Sequence, residues 1–410
     1  MSVQSSRRAT AGFATGVLSL RGLLAVTVAT AHTLGFTISA DYSASVLDQT
    51  NLPGAAAKVI GTAVNVPLIF FVISGLAIAR SLDRKQQQGD GPRPYLIFIV
   101  RRVLRLYPAY IVATAGVLAL AWLFLMGRPP LDPALYPSTG YDYIPDWLNG
   151  AVFNPLKART VLGNFAGLSW SMNLVIWSLY VEVCAVPLLP LFHGAARRRN
   201  LAADAAILTA LMAVTVVTWN TMLVRYWFAF YLGMLVQTRG RDCVRALIRR
   251  TGSAARLMAW AWLGIVLTCL APTDCPANLL VQSVCAFVIV SLLVWRDDAR
   301  QFRGLDRPWL QRNGRLSYSF YLWHYIILTV TVRLLYAALG PAAALHRLAM
   351  FGGTEIFTIA AALGLAQLSY SYVEEPFIRW GHRLETGARA APAPLAAGIM
   401  PRQANPQGAD

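Results

Sequence analysis

The chain has 410 residues, 56% of them hydrophobic and only 13% charged, with a mean hydropathy of +0.50. A soluble protein carries about a quarter charged residues, so a large water-soluble core is excluded. The net charge of +17 would suit nucleic acid, but the cations lie between apolar blocks rather than along one stripe, which excludes that partner.

Ten apolar blocks follow one another at roughly 12–36, 60–80, 97–126, 171–192, 205–221, 223–237, 255–271, 278–295, 316–339 and 350–372. A helix needs about 20 apolar residues to cross a bilayer. The predicted fold is therefore all-α, a polytopic membrane bundle of about ten transmembrane helices; the 223–237 block is short, so nine or eleven also fit. Lys and Arg crowd alternate connections: Arg80, Arg84, Lys85 and Arg93; Arg197, Arg198 and Arg199; Arg239, Arg241, Arg245, Arg249 and Arg250; Arg296, Arg300, Arg303, Arg307, Arg312 and Arg315. The other connections are sparse in cations. Positive residues mark cytoplasmic ends, so both termini are expected in the cytoplasm of a multi-pass protein of the inner (plasma) membrane.

The first block follows Arg7 and Arg8, and its Ala29-Thr30-Ala31 resembles a signal-peptide cleavage site. Arg21 interrupts the apolar run, and the block reads as a retained span. Arg21 and His32 are eleven residues apart, which places them roughly 16 Å apart along one helix face. Ionisable groups inside a span normally face the bundle interior. A fixed cation below a titratable imidazole suits a ligand with an anionic head and a reactive end. The plainer reading is a snorkelling Arg and a hydrogen-bonded structural His.

In the second block, FFVISG (Phe70–Gly75) carries a Ser-Gly pair that permits close helix contact. The third opens with RRVLRLYP (Arg101–Pro108), where Arg101, Arg102 and Arg105 offer planar forks for phosphate or anchor lipid headgroups. Residues 127–170 form the longest connection, rich in Pro and in Tyr136, Tyr141, Tyr143 and Trp147, suited to a sugar or to the membrane interface. In the fourth block, WSLYVE places Ser178 and Glu182 on one helical face. A carboxylate in the membrane needs a partner, and an imidazolium is a good one. In the ninth, Ser317, Tyr321 and His324 of LSYSFYLWH make one polar stripe, with Tyr318 beside it. Interhelical hydrogen bonding is the alternative use of such a stripe. EEPF is expected to stop the last helix at Pro376, with Glu374 and Glu375 paired to arginines. The division of the chain is thus a membrane domain over 1–383 and a disordered cytoplasmic tail over 384–410, rich in Ala, Pro and Gly. The five cysteines have no pairing or metal-ligand spacing, and neither a disulfide nor a metal is expected.

Taken in order, RGLLAVTVATAH (21–32), VPLIFFVISG (66–75), RRVLRLYPAY (101–110), WSLYVE (177–182), RLSYSFYLWH (315–324) and SYVEEPF (371–377) resemble the membrane acyltransferase-3 family. That family includes O-acetyltransferases of polysaccharides, lipopolysaccharide and macrolides. The resemblance implies ten membrane helices, an acyl-coenzyme A donor (most commonly acetyl-CoA) on the cytoplasmic side, a catalytic role for His32 and a donor-side role for Arg21. This chain departs from the family pattern at Asn65-Val66-Pro67, often Gly-Val-Pro or Gly-Val-Asp, and at Val183, where many members carry a second Glu.

The expected function is transfer of an acyl group from acyl-CoA to a hydroxyl of an extracytoplasmic or lipid-linked carbohydrate. Arg101, Arg102 and Arg105, with Arg21, would hold the donor's phosphates, and His32 would act as base or accept the acyl group. Glu182 would orient His32, while Ser178, Tyr318, Tyr321 and His324 would contact substrate or an oxyanion. A transporter or flippase for a glycan or lipid-linked precursor is the competing reading, with His32 and Glu182 as a proton relay. Such folds often show inverted repeats, and the sequence has no such symmetry.

Overall fold

The computed structural model describes residues 3–37, 67–86, 92–125, 158–169, 172–219, 221–271, 275–295, 304–340 and 346–390, with Ala56, Lys58, Val59 and Ala342 between them. The aromatic-rich stretch 127–157 and residues 391–410 lie outside the described residues. Every one of the ten apolar blocks contains helix, and no strand occurs among the described residues. In chain order the helices are α1 (Val3–Thr37), α2 (Pro67–Gln86), α3 (Pro92–Leu125), α4 (Ala158–Phe165), α5 (Trp177–Ala185), α6 (Leu189–Arg197), α7 (Leu201–Val217), α8 (Met222–Arg225), α9 (Trp227–Thr238), α10 (Gly240–Thr251), α11 (Ala254–Leu270), α12 (Pro276–Trp295), α13 (Pro308–Leu339), α14 (Arg347–Ser369) and α15 (Glu375–Ala390).

Six stretches are long and apolar enough to cross a membrane: Thr15–Thr37, Tyr95–Leu120, Leu174–Arg197, Pro276–Trp295, Pro308–Leu339 and Leu348–Leu384. The third of these opens with a 3-10 turn over Leu174–Ile176 and joins α5 to α6 through another over Val186–Leu188. A seventh candidate is the pair α10 and α11, which meet at 99°. Gly252 makes that corner with φ +79°, and Ser253 caps α11 by accepting from the Arg256 backbone amide at 3.1 Å. With α7 at 17 residues and α9 at 12, both fall short by length. α2 is 20 residues long but carries Arg80, Asp83, Arg84 and Lys85 in its second half.

Two backbone contacts organise the bundle. α1 and α13 run parallel, with Gly22 against Asn313 and Gly314, and His32 ten residues on beside His324. A Cβ on Gly314 would lie 1.9 Å from the Leu18 carbonyl oxygen, so only glycine allows this approach. Below it, Ser19 donates to the Leu305 carbonyl at 2.5 Å and Thr15 to Asp306 at 2.9 Å, tying α1 to the entry of α13. α2 and α9 touch in the same way: Cβ atoms on Gly75 and Gly233 would each lie 2.1 Å from a carbonyl oxygen, that of Phe230 and that of Val72. FFVISG is thus a packing motif.

The tyrosines of RLYPAY are also structural. Tyr107 donates to the Phe165 carbonyl at 2.6 Å and Tyr110 to the Asn164 carbonyl, which seats α4 on α3. Pro376 does not stop the last helix, contrary to the sequence expectation. A π-helical turn over Tyr370–Glu374 precedes it, and the helix runs on through Pro376 within the continuous stretch Leu348–Leu384. The helix then continues to Ala390, past the Arg383 boundary read from composition. Glu375 pairs with Arg379 at 3.8 Å, whereas Glu374 turns inward.

The α1–α13 contact makes a direct prediction. Gly314→Ala should destabilise by about 1–3 kcal/mol through overpacking and lower the thermal midpoint in detergent. Gly364→Ala on α14, where an added Cβ meets nothing within 4 Å, should not lower it.

Candidate active site

Seven of the ten sequence-nominated side chains line one cavity of about 120 Å³: Arg21, Arg102, Arg105, Ser178, Glu182, Tyr318 and Tyr321. Its apolar walls come from the FFVISG face of α2 (Phe70, Phe71 and Ile73) and from Leu106, Ile176 and Leu322. Three guanidiniums face one carboxylate there. Arg102 forms an ion pair with Glu182, each side chain about five-sixths buried, at 17% and 16% exposure. Arg105 is exposed and stands at the mouth. The Nε atoms of Arg21 and Arg102 are buried and have no hydrogen-bond partner. Leaving such donors unmet is costly, and both belong to arginines that line the cavity.

A second cluster sits further along α1 and α13. The His32 ring is half-buried, 5.6 Å from that of His324 in a stacked arrangement and 5.2 Å from Tyr325 edge-on. His324 is fully buried, and its Nδ1 lies 2.8 Å from the Tyr321 carbonyl and 3.3 Å from that of Phe320. Those acceptors keep the proton of the neutral ring on Nδ1. Its Nε2 is then a bare lone pair, buried and without a partner. Tyr321 belongs to both clusters, lining the cavity with its ring 5.6 Å from that of His324.

Several expected roles are corrected by this geometry. Glu182 meets Arg102, not His32. Ser178, one turn away on α5, touches Tyr321, while His32 lies beside His324, one turn further along α13. The carboxylate and the imidazole are therefore separated by roughly 10 Å along the bundle. Arg101 leaves the cavity: it contacts His382 of α15 at 2.9 Å, because successive helix positions diverge by about 100°. Tyr318 donates to the Leu106 carbonyl at 2.7 Å and Tyr321 to that of Val175 at 2.8 Å. Ser178 Oγ lies 3.1 Å from the Tyr321 hydroxyl and 3.3 Å from the Val175 carbonyl. These hydroxyl protons clamp helices together. His324, with its proton on Nδ1, presents an acceptor at Nε2.

Two acidic residues escaped the sequence reading as site candidates. Glu374 is 2% exposed, accepts from Ser319 at 3.0 Å, and acts electrostatically on Arg105 and Arg21. Glu355, inside the last apolar block, accepts from Thr30 of α1 at 2.5 Å. For Glu355 the signal was present in the sequence, since a carboxylate in an apolar block calls for a partner; Glu374 falls just past that block.

A membrane-embedded helical bundle with a buried basic cavity at one end of a helix and an imidazole pair at the other defines an integral membrane protein with an internal polar site. The model of the acyltransferase domain family (acyltransferase-3) matches residues 17–366. The chain belongs to that family, and it is a multi-pass membrane acyltransferase. It is similar to acyltransferase MdmB of Streptomyces mycarofaciens, 27% identical over 76% of this chain and 80% of the relative. It is also similar to the putative membrane-bound transacylase BcsY of Komagataeibacter xylinus, 28% identical over 80% of this chain and 79% of the relative. No solved structure matches.

The clamps and the ion pair are separately testable. Tyr318→Phe and Tyr321→Phe should each cost about 1 kcal/mol of stability and leave the rate within tenfold of wild type; an oxyanion role would reduce it by roughly 10²–10³. For Arg102 and Glu182, a double-mutant cycle with Ala and Gln should give a coupling energy above about 1 kcal/mol in thermal stability. An additive cycle would show that the pair contributes nothing.

Proposed function

We propose that the protein moves an acyl group, most simply acetyl, from acyl-coenzyme A on the cytoplasmic side to a hydroxyl of an extracytoplasmic or lipid-linked carbohydrate. It does so as a ten-span protein of the inner membrane with both termini in the cytoplasm. One observation carries the reading. A single helix, α1, brings Arg21 to an anion-ready cavity and His32 to an imidazole pair roughly 16 Å further on. A donor with a phosphorylated head and a long arm ending in a thioester spans such a path.

The cavity holds space for roughly four waters at ~30 Å³ each. One phosphate-sized group fits between Arg21 and Arg102, and the nucleotide lies beyond Arg105 at the open mouth. The pantetheine arm runs past Tyr321 toward His32. In direct transfer, His32 takes the proton of the acceptor hydroxyl while its oxygen attacks the thioester carbonyl. The tetrahedral intermediate collapses, the C–S bond breaks, and the departing thiolate receives the proton from His32. If His32 attacks first, the same atoms pass through an acyl-imidazole before the acceptor arrives. His324, with its lone pair turned away from the Tyr321 carbonyl, accepts a hydrogen bond from the ring N–H of His32 and so holds that ring in register with the acceptor.

The test is thiol release from acetyl-CoA by the purified protein in detergent, with glycan or glycolipid extract as acceptor. Wild type should release free thiol and transfer the acetyl group. His32→Ala should lose at least about 10²-fold in kcat while still binding CoA, and Arg21→Ala should chiefly raise KM for the donor. Full activity of a well-expressed His32→Ala variant would remove the catalytic assignment.

A further inference from the structure

The basic cavity has a counter-ion outside its own wall. Glu374 closes the π-helical turn Tyr370–Glu374, the one such turn among the described residues. Wide turns of this kind recur at functional sites because they redirect one side chain. Here the turn carries Glu374 into the bundle, where it is almost fully buried. Ser319 of α13 fixes one carboxylate oxygen at 3.0 Å. Ser319 directly follows Ser317 and Tyr318, which line the cavity, so the buried Glu374 carboxylate lies within electrostatic reach of Arg21 and Arg105, the two cavity cations that Glu182 does not pair. α15 then runs on along the basic end of α3, where His382 meets Arg101. A carboxylate is expensive to bury, and this one lies close enough to act on the cavity cations without occupying the space an anion would fill.

We propose that Glu374 is the built-in counter-ion of the donor-anion site, which limits how tightly the phosphorylated donor and its product are held and so keeps product release fast. The inference rests on the donor reading above. With Glu374 ionised, the three cavity arginines face two carboxylates, a net single positive charge against a phosphate bearing up to two negative ones. Without it, one further positive charge is uncompensated and the site holds a phosphate more firmly than turnover requires. Glu374 is a positioning residue in this account, since it touches neither substrate nor reacting atom.

The experiment is CoA binding to the full-length protein in detergent by calorimetry, together with steady-state kinetics. Glu374→Gln keeps the shape and the Ser319 contact and removes the charge. It should tighten CoA about tenfold, lower KM for acyl-CoA and lower kcat, because release slows. Glu374→Asp should bind CoA as wild type does, and Glu375→Gln, which removes the neighbouring charge paired with Arg379, should leave affinity unchanged. Unchanged or weaker CoA binding by Glu374→Gln, with wild type binding normally, overturns the inference and leaves the donor reading intact. Weakening by both Glu374→Gln and Glu374→Asp assigns the residue to packing and overturns it too. If wild type binds no CoA, the donor reading fails and this inference falls with it.

Discussion

Where Gly22 meets Gly314, α1 and α13 lie backbone against backbone, and the placement of the site follows from that contact. Two parallel helices pinned there keep the same register for the ten residues that follow, so His32 arrives beside His324. The same contact leaves Arg21 beside the polar start of α13, where Ser317 and Tyr318 line the cavity with it. In a bilayer no hydrophobic force drives helix association, so close contact between small residues supplies the packing that does. A side chain at either glycine would separate the helices and uncouple the two ends of the site.

The remaining helices supply what that pair lacks. α3 contributes Arg102 and Arg105, and α5 contributes Glu182, which neutralises one of them. α14 and its π-turn contribute Glu374 from the far side of α13. The polar interior is therefore divided by chemistry. Arg21, Arg102, Arg105, Glu182 and Glu374 gather at the Arg21 end, while the rings of His32, His324, Tyr325 and Phe320 pack at the other, where Glu355 meets Thr30 and Arg333 is buried on α13. Such a division suits a donor that is charged at one end and reactive at the other.

Much of this was legible in the sequence, because a membrane imposes long periodicities and makes every intramembrane charge conspicuous. Each of the ten apolar blocks contains helix, and RGLLAVTVATAH, RRVLRLYPAY and WSLYVE converged on one cavity. Individual partnerships were not legible. Spacing places Glu182 on a face of its helix but not at a height in the bundle, and height decides its pairing with Arg102 instead of His32. Rotation about the helix axis likewise decided that Arg102 faces the cavity and Arg101 faces His382. Pro376 misled because a proline that follows a π-turn inside a continuing helix looks, in sequence, the same as one that ends a helix. Whether a tyrosine hydroxyl clamps a carbonyl or serves a reaction is decided by a few ångströms that no spacing encodes.

The central claim is that one polar interior joins a cytoplasmic donor to an acceptor on the other face. Sealed proteoliposomes with the protein oriented test it most directly, with glycan acceptor enclosed in the lumen and radiolabelled acetyl-CoA added only to the face bearing the Arg-rich connections. The account predicts label on the enclosed acceptor, abolished by His32→Ala. Labelling only when donor and acceptor share the same face would contradict it.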